Sequence, residues 1–139
     1  YMKASHLTEA NRWLKQAAHD FEVAQKHYKD AFWSDCCFVA QQAAEKALKG
    51  YLFYKGIRPG TQAVFTHSVT ELVKYCRKID VSFPDIAGVK DLDKYYIPTR
   101  YPDAFPGEVP YEMYEEKDAA LALKISKDIL QRVKQRIKT

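Results

Sequence analysis

Apolar periodicity and its breakers constrain this chain more than anything else in it. Between residues 8 and 29, Ala10, Trp13, Leu14, Ala17, Phe21, Ala24 and Tyr28 recur every three or four positions, the period of a helix with one face in a core. Thr8 is placed to cap that helix. After a connection of Asp30, Ala31 and Phe32, Ser34 offers a second N-cap, with Trp33 and Phe38 spaced as a hydrophobic staple. A second helix is therefore expected from about Asp35 to Lys55. Gly56 stands where a left-handed C-terminal residue is wanted, and Pro59 follows it. So short a link makes the two helices an antiparallel pair.

The stretch from Ile57 to His67 holds Pro59 and Gly60 and has no clean period, so it reads as a loop across one end of that pair. Ser68, Val69, Thr70 and Glu71 spell a capping box in which hydroxyl and carboxylate each serve the other residue's amide. It opens a short helix with Val69, Leu72, Val73, Cys76 and Ile79 on one side, ending near Asp80. A fourth helical stretch is expected over residues 84–96, locally weakened by Gly88. Pro98, Pro102, Pro106 and Pro110, interleaved with Tyr101, Phe105, Tyr111 and Tyr114, then make a segment too broken for a helix and too aromatic for an idle linker. From Glu116 to Ile137 a last helix carries Ala119, Ala122, Leu123, Ile125, Ile129, Leu130, Val133 and Ile137 on one arc. With no strand-period segment, the expected fold is all-α: an up-and-down helical bundle of four long helices plus one short helix.

At 139 residues the chain suits one domain, 1–139, with residues 1–6 as a mobile start and no role for Tyr1. No apolar run approaches a membrane span and the start has no basic-then-apolar leader, so the expectation is a cytoplasmic protein without a membrane partner. Three cysteines, Cys36, Cys37 and Cys76, form neither a disulfide framework nor a CxxC pair and read as reduced, partly buried thiols. The balance of 22 Lys+Arg against 18 Asp+Glu leaves +4, which favours acidic or phosphate-bearing partners without requiring them.

Two constellations carry chemistry. On the second helix, Ala40, Ala43, Ala44 and Ala47 form a small-residue arc with Val39 and Tyr51. The opposite arc holds Gln41, Gln42, Glu45, Lys46 and Lys49, bracketed by Phe38, Leu52 and Phe53. That arc is either a solvated face or a polar patch inside a subunit interface or ligand cleft. The second constellation is Tyr95, Tyr96, Ile97, Pro98, Thr99, Arg100, Tyr101, Pro102, Asp103. Here a guanidinium fork suited to phosphate lies between stacking faces on a proline-stiffened segment. The alternative is that Arg100 and Asp103 simply pair and hold the segment down. His67, just before Ser68, is either a packing residue or a titratable group for that site. His19 and His27 lack a third metal ligand in sequence, and neither a nucleophile with a local base nor a glycine-rich phosphate loop occurs. No metal or other cofactor is implied. Lys124, Lys127, Lys134 and Lys138 line the last helix as a solvated face or a weak nucleic-acid surface.

Three ordered blocks, the run from Gln41 to Lys49, the His67–Ser68 helix start and the segment from Tyr96 to Asp103, together resemble a HEPN domain. The resemblance extends from about Leu7 to Lys138. It implies a helical homodimer associated with nucleotide or RNA binding, and, among small prokaryotic members, pairing with a minimal nucleotidyltransferase in toxin–antitoxin type modules. One branch of the family cleaves RNA without metal, using an arginine followed after four to six residues by a histidine. This chain departs from that pattern, because no histidine occurs after His67.

Three readings result. The first is a dimeric nucleotide or RNA-phosphate-binding module that docks a nucleotidyltransferase, with Arg100, Tyr96, Tyr101, Asp103, Lys46 and Gln42 as ligand-binding residues. The second is a metal-independent endoribonuclease toxin in which Arg100 steadies the phosphate and His67 supplies the missing acid or base. The third is a purely structural interaction module. The incomplete motif favours the non-enzymatic readings.

Overall fold

In the computed structural model, which describes residues 4–57, 66–96, 103 and 106–137, five helices follow one another: α1 (Ala4–Lys29), α2 (Trp33–Tyr54), α3 (Val69–Ile79), α4 (Val89–Asp93) and α5 (Glu116–Arg136). A 3-10 turn, Pro110–Met113, precedes α5. No strand occurs among the described residues, and no helix there is long and apolar enough to cross a membrane.

The centre of the bundle is α2. Ala40, Ala43, Ala44, Ala47, Leu48 and Leu52 are wholly buried on it, and α1 delivers Ala10, Ala17 and Ala24 to the same core at seven-residue spacing. Small residues let the two backbones approach closely. A Cβ added at Gly50 would sit 3.2 Å from Trp13 Cβ and 3.3 Å from the Ala10 carbonyl oxygen. On another side α5 is fixed by the buried Ser126 hydroxyl, which donates to the Ala40 carbonyl at 2.8 Å. Tyr28 at the end of α1 donates to Glu116 at the start of α5, 2.8 Å away. α3 closes the core with Val69, Leu72, Val73 and Cys76. The phenol of Tyr51 on α2 donates to Asp80 just beyond α3, and Arg136 donates to the Ser82 carbonyl at 2.8 Å with its guanidinium over Phe83.

Among the described residues the helix count and order follow the sequence reading, while several boundaries do not. α1 begins at Ala4, ahead of Thr8. α2 begins at Trp33 with Phe32, not Ser34, in the N-cap place. The reason is the tightness of the turn: Ala31 takes the left-handed conformation (φ 63), and the Phe32 amide returns to the His27 carbonyl at 2.9 Å. α2 is thereby started early and Ser34 is left inside it, buried. At the other end Gly56 does adopt the left-handed conformation (φ 88), with the Ile57 amide donating to the Leu52 carbonyl.

The helix expected over 84–96 is confined to Val89–Asp93. Gly88 is left-handed (φ 86) and packs so closely on α5 that an added Cβ would lie 2.8 Å from Ile125 Cδ1. Residues 84–86 therefore run irregularly past it. The cysteines are fully rather than partly buried. Burial pushes the thiols of Cys36 and Cys76 up to about 12 and that of Cys37 higher still, so none is a nucleophile at neutral pH.

Candidate functional site

The polar arc of α2 is largely interior. Gln41, Glu45 and Lys49 stand at i, i+4 and i+8, one row on a helix, and all three are buried. Each has a partner within the chain, as buried polar groups require. Lys49 Nζ donates to Glu45 Oε2 at 2.8 Å. Gln41 Nε2 donates to the main-chain carbonyl of His67 at 2.9 Å, and Gln42 Nε2 donates to Gln41 Oε1 at 2.8 Å. Leu52 and Phe53, expected as brackets of an exposed stripe, are buried in the core. α2 is enclosed on more sides than a two-faced helix would be, because α1, α3 and α5 all lean on it.

What this row supports is His67. The imidazole is 56% exposed, yet Nδ1 lies 3.3 Å from both carboxylate oxygens of Glu45. A carboxylate already accepting from an ammonium can only accept again, so Nδ1 carries the ring proton and Nε2 takes no part in that contact. One ring face is stacked on Tyr96, with centroids 4.7 Å apart and planes 13° from parallel. Tyr96 is in turn stacked with Phe38 of α2 at 5.9 Å and 23°.

The two segments that carry His67 and Tyr96 are bolted together by Asp93, the last residue of α4. Its carboxylate accepts from Ser68 Oγ (3.0 Å), the Val69 amide (2.6 Å) and the Thr70 amide (3.0 Å) at the start of α3. Half of the expected capping box is present, since Ser68 Oγ accepts from the Glu71 amide at 3.1 Å. The other half is not: the Ser68 amide donates to Thr66 Oγ1 at 3.1 Å, while Glu71 reaches Lys74. An anionic carboxylate at a helix N-terminus is favoured by the unpaired amides and by the dipole. Asp93 fills that role from another helix.

Of the residues singled out by sequence, His67 and Tyr96 are in direct contact, and Gln42 buttresses them through Gln41. Lys46 turns the other way, to α1, where it pairs with Asp20 at 2.5 Å. It lines a shallow cleft there with Arg12, Trp13, Lys15, Gln16 and His19. The cations of that cleft are partly spent, since Arg12 pairs with Glu9, which also takes the Trp13 indole proton. Asp103 is exposed. Arg100 and Tyr101 lie outside the described residues. Sequence reasoning missed Asp93 altogether and noted Glu45 only as part of a stripe. The signal for Glu45 was the four-residue spacing to Gln41 and to Lys49; for Asp93, a partner distant in sequence, there was none.

The HEPN domain family model matches residues 10–136. The chain is 30% identical over 143 residues to a protein of Methanocaldococcus jannaschii named "Putative toxin MJ1304", a match covering 96% of this chain and 91% of that one. Among solved structures, TT1696 from Thermus thermophilus superposes with a TM-score of 0.76 at 35% identity, covering 92% of this chain and 98% of that one. ST0689, described as an archaeal HEPN homologue, gives 0.74 at 34% identity, covering 94% and 98%.

Proposed function

The chain belongs to the HEPN domain family, and from that premise we propose that it is a nucleotide or RNA-phosphate-binding module, acting as a homodimer with a nucleotidyltransferase partner in a toxin–antitoxin type system. The observation that carries the reading is the exposed imidazole of His67, clamped by Glu45 and stacked on Tyr96. Arg100 follows Tyr96 by four residues, which the chain can span over at most about 14 Å. A guanidinium tethered within that reach offers a grip on an anion beside the ring, which contributes a face and not a second donor, since Nε2 in this tautomer accepts. The toxin context is supported by the name of the Methanocaldococcus jannaschii relative. The polar arc of α2 no longer argues for a dimer, since its residues are satisfied within the chain. Support comes instead from Val109, Tyr111 and Met113, apolar or aromatic side chains left exposed around the 3-10 turn.

The test is the affinity of a nucleoside 5′-monophosphate for wild type and Arg100→Ala, with melting followed in parallel. Loss of one charge-assisted contact is expected to cost about 1.5 to 3 kcal/mol of binding and little stability. An Arg100→Ala protein that binds normally but melts much lower supports instead the pairing of Arg100 with Asp103.

A second reading, metal-independent endoribonuclease, is favoured by one feature: Glu45 engages Nδ1 of the exposed His67 ring, so that Nε2 is the nitrogen for proton transfer as a general acid or base. Cleavage needs a second proton-transfer group, and no histidine follows Arg100 in the sequence to supply one. The expected result with EDTA present is no cleavage of single-stranded or structured RNAs. Wild-type cleavage abolished by His67→Ala or Arg100→Ala would replace the binding reading with this one.

A further inference from the structure

Phe38, Tyr96 and His67 form a run of near-parallel rings that starts half-buried on α2 and ends on an imidazole 56% exposed. We infer that this run is a stacking platform whose next member is an unpaired nucleobase, laid on the exposed part of the His67 ring. The inference rests on the phosphate-binding reading above and adds to it the part of the ligand that a phosphate site alone leaves unspecified.

Three observations support a platform over an idle surface histidine. The ring is not free to turn: its Nδ1 edge lies 3.3 Å from both Glu45 oxygens, its main-chain carbonyl is held by Gln41 and one face rests on Tyr96. Orientation is thus settled before any ligand arrives, which removes an ordering cost that a mobile side chain would bear on binding. The clamp is also interior and charged. Glu45 and Lys49 are each 5% exposed, a costly arrangement to maintain beneath a group that needs only to face water. Finally, among the described residues the other exposed aromatics have a different setting: Phe32 meets His27 edge to face at 6.2 Å, and Tyr111 lies on the 3-10 turn.

Stacking on an aromatic face is tolerant of base identity and demands that the base be unpaired. The ligand class is therefore a base-bearing phosphate, supplied either by a free mononucleotide or by single-stranded RNA. A duplex, whose bases are already stacked, is excluded from the platform.

The experiment compares full-length wild type, His67→Ala and His67→Phe for affinity to ribose 5-phosphate, adenosine 5′-monophosphate, a short single-stranded oligoribonucleotide and the same sequence as a duplex. Wild type is expected to prefer the mononucleotide over ribose 5-phosphate by about 5- to 160-fold, the range of one base–aromatic stack. His67→Ala should erase that margin, and duplex binding, which uses no base face, should fall no further than ribose 5-phosphate binding does. His67→Phe, which keeps a ring face but no titratable nitrogen, should retain most of it. A single-strand preference showing the same pattern identifies RNA as the source and supports the platform equally. Equal affinity of wild type for ribose 5-phosphate and the mononucleotide would overturn the platform while leaving the anion grip intact. So would a margin untouched by His67→Ala or lost in His67→Phe. Absence of binding to every probe would overturn the phosphate-binding reading and the platform with it.

Discussion

Removing the Asp93 carboxylate should unfasten the site and the fold together. One side chain accepts two amides and a hydroxyl at the start of α3, at 2.6 to 3.0 Å. Loss of a helix cap typically costs about 0.5 to 2 kcal/mol, loss of an anion from a helix N-terminus about 0.3 to 1, and a hydrogen bond to a charged group about 1.5 to 3. These overlap, because the same bonds are counted in each, so Asp93→Ala is expected to destabilise by about 2 to 4 kcal/mol. Asp93→Asn keeps one acceptor oxygen and should lose about half as much. With a urea slope of about 2 kcal/mol/M, the Ala variant shifts the unfolding midpoint by about 1 to 2 M at unchanged slope. Urea unfolding followed by far-ultraviolet circular dichroism reads this directly. Because Asp93 joins the His67 and Tyr96 segments, nucleotide affinity measured well below the midpoint should fall as well. An Asp93→Ala protein within about 0.5 kcal/mol of wild type, the scatter of ordinary surface substitutions, would refute the reasoning.

Gly88→Ala forces a Cβ into a left-handed position 2.8 Å from Ile125 Cδ1 and should cost about 2 to 3 kcal/mol, read by calorimetric melting. Lys49→Met alone leaves Glu45 buried without its cation and should cost about 3 kcal/mol or more, whereas the double change Glu45→Leu with Lys49→Met should recover most of that in the same assay. The Ser82 hydroxyl and the Tyr51 phenol hold the Asp80 carboxyl down at about 2 against an ordinary 3.8, so its contribution is present above about pH 4 and disappears as pH falls toward 2. Burial raises the thiols of Cys36 and Cys76 to about 12 and lifts Tyr51 and Tyr95. Stability from these groups is intact below about pH 9 and is lost as pH rises through the raised values, which melting against pH will show. Sedimentation at high micromolar concentration should give a dimer of the 16.1 kDa chain, and a monomer there would remove the homodimer from the proposed function.

Long amphipathic segments were legible because their information is local. The stripes of α1 and α5 and the Gly56 stop depend on neighbours within a few residues. The Ser68 cap was legible for the same reason. What was lost depended on contacts far along the chain. The helix expected over 84–96 shrank to Val89–Asp93 because Gly88 had to pass close to Ile125. Asp93 took over the α3 start from a separate helix. The polar row of α2 was visible as a pattern, but its burial was not, since an i, i+4 row of Gln, Glu and Lys reads as surface until something covers it. His67 and Tyr96 were each named from sequence; that they stack, with Glu45 beneath, required the fold.

The most direct measurement is a titration of isotope-labelled full-length protein with a nucleoside 5′-monophosphate, followed residue by residue by NMR. Saturable shifts are expected, centred on His67, Tyr96 and Arg100, with the side-chain amide of Gln41 following. Shifts confined to the α1 cleft around Arg12, Lys15 and Lys46, or none at millimolar ligand, would contradict the binding reading.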